Sequence, residues 1–163
     1  MRTPDNQQSL IRDTENLEWS NLPKSFGGKG YLMSEFYIYW AATTLLVALY
    51  LASAITYVAK TEWVRQTIAG FGYPTYLVHI LTVVKLAAVV AILSRFNVGV
   101  SDLAYAGMLF HLLLSGLAHI GVRKPAGALP AIIGLALLAA SFTTQNAGRD
   151  VPSPYALAQA QAH

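Results

Sequence analysis

Hydrophobic positions along this chain gather into four runs, Phe36–Val58, Tyr76–Ser94, Leu103–Ile120 and Ala126–Phe142, and one formal charge, Lys85, falls inside them. In a bilayer the backbone N–H and C=O groups must be satisfied within the segment, so runs of this length predict helices; barrel strands would be shorter and would alternate. At ~1.5 Å of rise per residue the first two runs reach ~28–35 Å, enough to cross a hydrocarbon core of about 30 Å. The last two need little tilt or a locally thinned bilayer. The expected fold is all-α, an integral membrane four-helix bundle over residues 36–142. A polar N-terminal arm, 1–35, precedes it and a C-terminal tail, 143–163, follows.

Polar signals between the runs set the expected boundaries. Ser34 is placed to cap the first helix, with Glu35 in its first turn and Tyr37, Tyr39 and Trp40 at the level of an interfacial aromatic belt. Ala48 and Ala52 are spaced for close helix approach. Within Thr61–Thr75, Trp63, Val64, Ile68 and Phe71 alternate with Glu62, Arg65 and Gln66 in the manner of a short amphipathic turn on the membrane surface, which Gly70, Gly72 and Pro74 end. A six-residue turn over Phe96–Ser101 joins the second and third helices, Asp102 caps the third, and Arg123-Lys124-Pro125 form the next turn. Pro130 falls in the first turns of the last helix, where its missing N–H costs least. The tail, rich in Ala, Gln and Pro, reads as surface-bound or mobile. Gly27-Gly28-Lys29-Gly30 lacks the spacing and the Ser/Thr of a phosphate-binding loop and reads as a linker.

Composition narrows the class. With 55% hydrophobic and 12% charged residues in 163, the chain is one domain too apolar to fold in water. The first thirty residues hold Asp5, Asp13, Glu15 and Glu18 and no apolar h-region, so no cleaved signal is expected and the first helix serves as the insertion signal. There is no cysteine, which excludes disulfides, thiolate metal sites and cysteine-held iron–sulfur clusters in this chain. Four spans put both termini on one side, with Arg2, Arg12, Lys24, Lys29, Arg95 and Arg149; Lys60, Arg65, Arg123 and Lys124 lie opposite, and residues next to the spans are nearly balanced. We read the terminal side as cytoplasmic and the membrane as a bacterial inner membrane. The longest basic run is Arg123-Lys124, so nucleic acid is not a partner.

Chemistry can reside in few places. Lys85, midway along the second run, costs ~2.5–3.5 kcal/mol to insert when isolated, and no run supplies a carboxylate to pair with it. Backbone carbonyls, hydroxyls such as Thr82 or Tyr50, snorkelling, proton loss, or an acceptor from a ligand or another subunit remain. On the third helix Gly107, His111, Ser115 and Ala118 share a face, with His119 at its edge. Interhelical hydrogen bonding is the ordinary role of such residues. His79, His111 and His119 also raise ligation of haem, which needs two imidazoles on opposite sides of one plane. No nucleophile elbow, zinc-protease motif, carboxylate pair or dinucleotide fingerprint occurs, so autonomous hydrolase or dehydrogenase activity is not expected.

Trp40 with the following Ala-Ala-Thr, Phe71-Gly72-Tyr73-Pro74, Lys85 with Ala87-Ala88, and Ala104-Tyr105-Ala106-Gly107 leading to His119 occur in an order that resembles the DoxX-like family, over roughly Tyr37 to Phe142. The resemblance implies a compact four-helix membrane protein, often an accessory to membrane oxidoreductase systems. The chain departs from that pattern at His111, where similar proteins commonly carry aspartate, and after His119, where Arg123-Lys124 replace an acidic residue. A lysine–aspartate pair implied by the resemblance would be broken here.

Three functions follow as expectations. One is a non-catalytic accessory or assembly subunit of a larger membrane complex, docked by lipid-facing helices and by Trp19, Leu22 and Phe26 of the arm. The second is a quinone- or haem-linked redox subunit with Lys85, His111, Ser115 and His119 lining a site between the second and third spans, and Tyr105 as a further candidate ligand-binding residue. The third is a binder or carrier of a small amphipathic molecule. Because Trp19, Leu22 and Phe26 are apolar residues in an arm too polar to enter the bilayer, deleting residues 1–30 is expected to leave insertion intact and to loosen the complex. Unchanged co-purification with membrane partners would refute that role for the arm.

Overall fold

The computed structural model describes the backbone of residues 28–156 and side chains from Met33 to Ala156; Trp19, Leu22 and Phe26 lie outside these residues. The chain divides into two compact units, Met1–Leu32 and Met33–His163, and the spans, core and cavity described below belong to the second. The elements are α1 (Gly28–Ala59), α2 (Thr61–Gly70), α3 (Leu77–Ser94), α4 (Val98–Gly121), a 3-10 turn (Pro125–Ala128), α5 (Leu129–Thr144) and a second 3-10 turn (Gln145–Gly148). Four segments are long and apolar enough to cross a membrane: Met33–Ala59, Leu77–Ser94, Val98–Gly121 and Pro125–Gly148. This is the expected all-α membrane bundle. The last two spans, 24 residues each, are longer than the runs read from hydropathy and, at a rise of ~36 Å, are long enough to cross a hydrocarbon core.

Several boundaries differ from the sequence reading. Ser34 lies inside α1, which begins at Gly28, so it is not the cap, and Gly28-Lys29-Gly30 is helical where a linker was expected. The third span starts with Asn97, not Asp102. Asn97 is extended (φ −149°, ψ 132°) and its side chain accepts a hydrogen bond from the Val100 N–H at 3.3 Å. The link from α3 shrinks accordingly to Arg95–Asn97, with Arg95 in the left-handed region at φ 51°. The amphipathic segment forms a full helix, α2, whose Val64 and Ile68 are buried with Val78 of α3. Gly72, at φ 84°, takes a backbone conformation that glycine adopts without a steric cost.

The core joins all four spans. Leu46, Val47 and Tyr50 of α1 meet Val89 and Ile92 of α3, Tyr105, Met108 and Leu112 of α4, and Ala131 and Leu138 of α5. A β-carbon at Gly134 would stand 2.7 Å from Leu112 Cδ2 and 3.2 Å from Leu49 Cδ2, so glycine permits α5 to approach both neighbours. Val83, Val90, Leu103 and Leu117 point outward. Since lipid tails are as apolar as leucine, close packing and interhelical hydrogen bonds hold such a bundle, not a hydrophobic gradient. Ala48 and Ala52 therefore mark no packing face: both are exposed, and α1 turns Ala42, Thr43, Leu46, Val47, Tyr50 and Ala54 inward. Tyr39, expected in the aromatic belt with Tyr37 and Trp40, is buried against Gly148.

One end of the bundle carries a dense polar cluster. Ser141 Oγ lies 2.7 Å from Thr43 Oγ1 and 2.7 Å from Tyr105 OH, so one hydroxyl ties α1, α4 and α5 together. Asp102 accepts hydrogen bonds from Gln145 Nε2 at 3.2 Å and Ser153 Oγ at 2.8 Å. Asn146 fixes the segment further, accepting from the Ser153 N–H and donating to its carbonyl. The start of the tail is thus built into the bundle instead of lying on a surface or moving freely, because its polar groups find partners around Asp102. Gln145 Oε1 and Arg149 Nε and Nη2 are also buried there without a hydrogen-bond partner. Ser141→Ala is expected to lower stability by about 0.5–2 kcal/mol, the scale of a hydrogen bond between helices. Ser94→Ala, whose hydroxyl bonds only within its own helix, should be neutral, and reversible unfolding in mixed micelles measures both.

Candidate functional site

Lys85 is 4% exposed, and its compensation comes from α1. Its Nζ donates to Ser53 Oγ at 2.8 Å and sits 3.5 Å from the centroid of the Tyr57 ring. Ser53 and Tyr57 are four residues apart and so present one face to α3. A hydroxyl oxygen and an aromatic face both stabilise an ammonium without supplying a formal counter-charge. The two hydroxyls suggested by sequence are engaged elsewhere. Thr82 donates to the Val78 carbonyl at 2.8 Å, and Tyr50 to the Met108 carbonyl at 3.3 Å.

Lys85 lines a cavity of about 550 Å³, within the range of small-molecule sites. α4 contributes His111, Ser115 and His119, and α5 with its leading turn contributes Gly127, Pro130 and Ala131. Tyr50, Ser53 and Tyr57 enter from α1, while Trp63 and Thr67 of α2 and Phe71 just beyond its end line the remaining side. The His111 ring stands edge-on to Tyr50 with centroids 5.9 Å apart. His119 stands edge-on to Phe71 at 4.8 Å and is seated over Gly127, where any β-carbon would fall on the imidazole. Gly127 is thus required by close approach and not by backbone angle.

Lys85, His111, Ser115 and His119 line this one cavity, which is not confined to the second and third spans. α1 supplies the lysine's partners and α2 a wall. Tyr105 stands apart, its hydroxyl committed to Ser141, and Gly107 is exposed with open space beside it. His79 lies outside the lining, its Nε2 3.2 Å from Arg65 Nη2; with arginine the donor, that nitrogen accepts. Ser53 and Tyr57 were missed by the sequence reading. Their signal was present, since Tyr50, Ser53 and Tyr57 form a polar stripe at steps of three and four along the helix.

Among known families, the DoxX-like family matches residues 41–141, well over half of the chain. Searches among curated proteins and among solved structures returned no match.

The facing of Lys85 and His111 across one cavity can be measured. Lys85→Met is expected to fold, since it removes a charge from a buried position. His111→Asp should stabilise the bundle only while Lys85 is present, with a coupling of about 0.5–3 kcal/mol in a double-mutant cycle. Zero coupling would mean that the two side chains do not interact.

Proposed function

Given that this chain belongs to the DoxX-like family, we propose that this integral membrane protein binds a small amphipathic molecule within the bilayer, its hydrogen-bond-accepting head at Lys85 and its apolar part against α2 and α5. The observation that carries this reading is the cavity itself, which sets a buried ammonium beside several polar side chains, among them Ser53, His111, Ser115 and His119, in a lining otherwise rich in apolar residues. A pocket of apolar walls with a few convergent polar groups is the usual form of a small-molecule site. An ammonium has three donors and Ser53 takes one, so a carbonyl or carboxylate oxygen of a ligand is a suitable further partner.

This reading accommodates service as an accessory subunit of a larger membrane complex, the cavity holding the molecule on which that complex acts. A quinone carbonyl would suit the lysine as a neutral acceptor. Haem is a poorer fit. His111 and His119 are eight residues apart on one helix, ~12 Å along its axis, and so cannot take opposite faces of one iron, while His79 is bonded to Arg65. For the setting we infer a bacterial cytoplasmic membrane with both termini on its cytoplasmic side, supported by the larger number of Lys and Arg residues there.

Trp63 lines the cavity and reports on occupancy. In protein carrying it as the sole tryptophan (W19F, W40F), ω-bromododecanol is expected to quench Trp63 saturably in nanodiscs. Ser115→Phe, which fills the cavity, should remove the saturable part and leave the non-saturating collisional quenching by probe dissolved in the lipid. Quenching that never saturates, or that survives Ser115→Phe, would overturn the proposal.

A further inference from the structure

Resting on that reading of the cavity, we propose that the bound molecule is an organic anion, a single-chain amphiphile with a carboxylate head, which reaches Lys85 through a second, outer cavity beside α2. The outer cavity, about 450 Å³, has Trp63, Thr67, Phe71, His119 and Gly127 in common with the inner one and adds Lys124 and Gln66. Five shared walls make the two spaces neighbours, and the Phe71–His119 pair stands at their junction. Exposed Lys124, in the turn between α4 and α5, flanks the outer space.

Charge decides the class of molecule. Lys85 and His111 line the inner cavity, Lys124 the outer one and His119 both, and among the described residues no carboxylate lines either cavity. Glu62 is near, holding Gln66 Nε2 at 3.3 Å from one turn earlier on α2, but it is not part of the lining. Asp102 is nine residues before His111, ~13 Å along α4, and engaged by Gln145 and Ser153. Lys85 therefore meets a hydroxyl and an aromatic face but no counter-ion. A neutral head leaves that charge without a counter-ion in a low-dielectric site, whereas a carboxylate supplies one and gains hydrogen bonds to an ionised donor, the stronger kind. The remaining walls, Leu49, Ala52, Val64, Ile68, Leu112 and Ala131, suit an alkyl chain.

The test compares ω-bromododecanoate with ω-bromododecanol on the Trp63-only protein in nanodiscs of neutral lipid, in buffer at neutral pH. The acid is expected to half-saturate at a concentration lower by about ten-fold or more than the alcohol, the ratio equivalent to about 1.4 kcal/mol. Lys85→Met should bring the two within about two-fold, and Lys124→Gln should slow the acid's association without changing the alcohol's. If Lys85→Met fails to fold, Lys85→Gln, which keeps a donor without the charge, replaces it. Equal half-saturation in the unmodified protein, or a preference that survives loss of the lysine charge, would overturn the anion proposal. The cavity reading would still stand if Ser115→Phe removed the saturable signal. No saturable quenching by either probe would overturn both.

Discussion

The hydrocarbon interior of a bilayer offers no water to a polar group, and each such group in this protein has to be satisfied from within. The constraint first makes the spans helical, since only intrasegment hydrogen bonds serve the backbone there. It then disposes of the side chains. Thr56, Thr82, Thr143 and Thr144 each return their hydroxyl to a carbonyl four residues back in the same helix. Ser141 and Asp102 find partners on other elements. Lys85 has the most demanding group, and it rests on Ser53 and the Tyr57 ring.

Two polar regions answer the constraint in different ways. Around Ser141 and Asp102 the groups come from α1, α4, α5 and the segment after it, and each bond joins elements distant in sequence. Such a cluster fixes helix register. Around Lys85 the groups border open volume, and the ammonium has donors beyond the one given to Ser53. The first arrangement uses polarity to hold helices together. The second keeps polarity in hand for a guest, which is why the proposed function rests there. Tyr105 belongs to the first region although its sequence position suggested the second.

Helix existence was legible because it depends on length and apolarity alone, and the four runs coincide with the four spans of the structure, Tyr76 alone falling outside. Helix ends were less legible. Asn97 and Asp102 are both competent caps, and the choice depends on where α3 can stop, with Arg95 left-handed. The segment after α5 has a polar composition that resembles a free tail, yet Gln145 and Ser153 are bound by Asp102. That match of partners lies 43 and 51 residues apart, beyond any local signal. Tyr39, Ala48 and Ala52 were misplaced for a related reason. In a helix apolar on every side, hydropathy cannot say which face is inside.

The sequence by itself determined that the chain spans a membrane four times as helices, that Lys85 is set within the second span, and that His111, Ser115 and His119 share a face of the third. Each follows from residue type and helical period, which are local. Tertiary structure decided what surrounds them: Ser53 and Tyr57 as the lysine's neighbours, α2 as a wall over the cavity, Gly127 beneath His119, and Tyr105 turned away to Ser141. Those outcomes depend on how each helix is rotated about its axis, and in lipid that rotation is set by side-chain contacts between helices, which no single segment encodes.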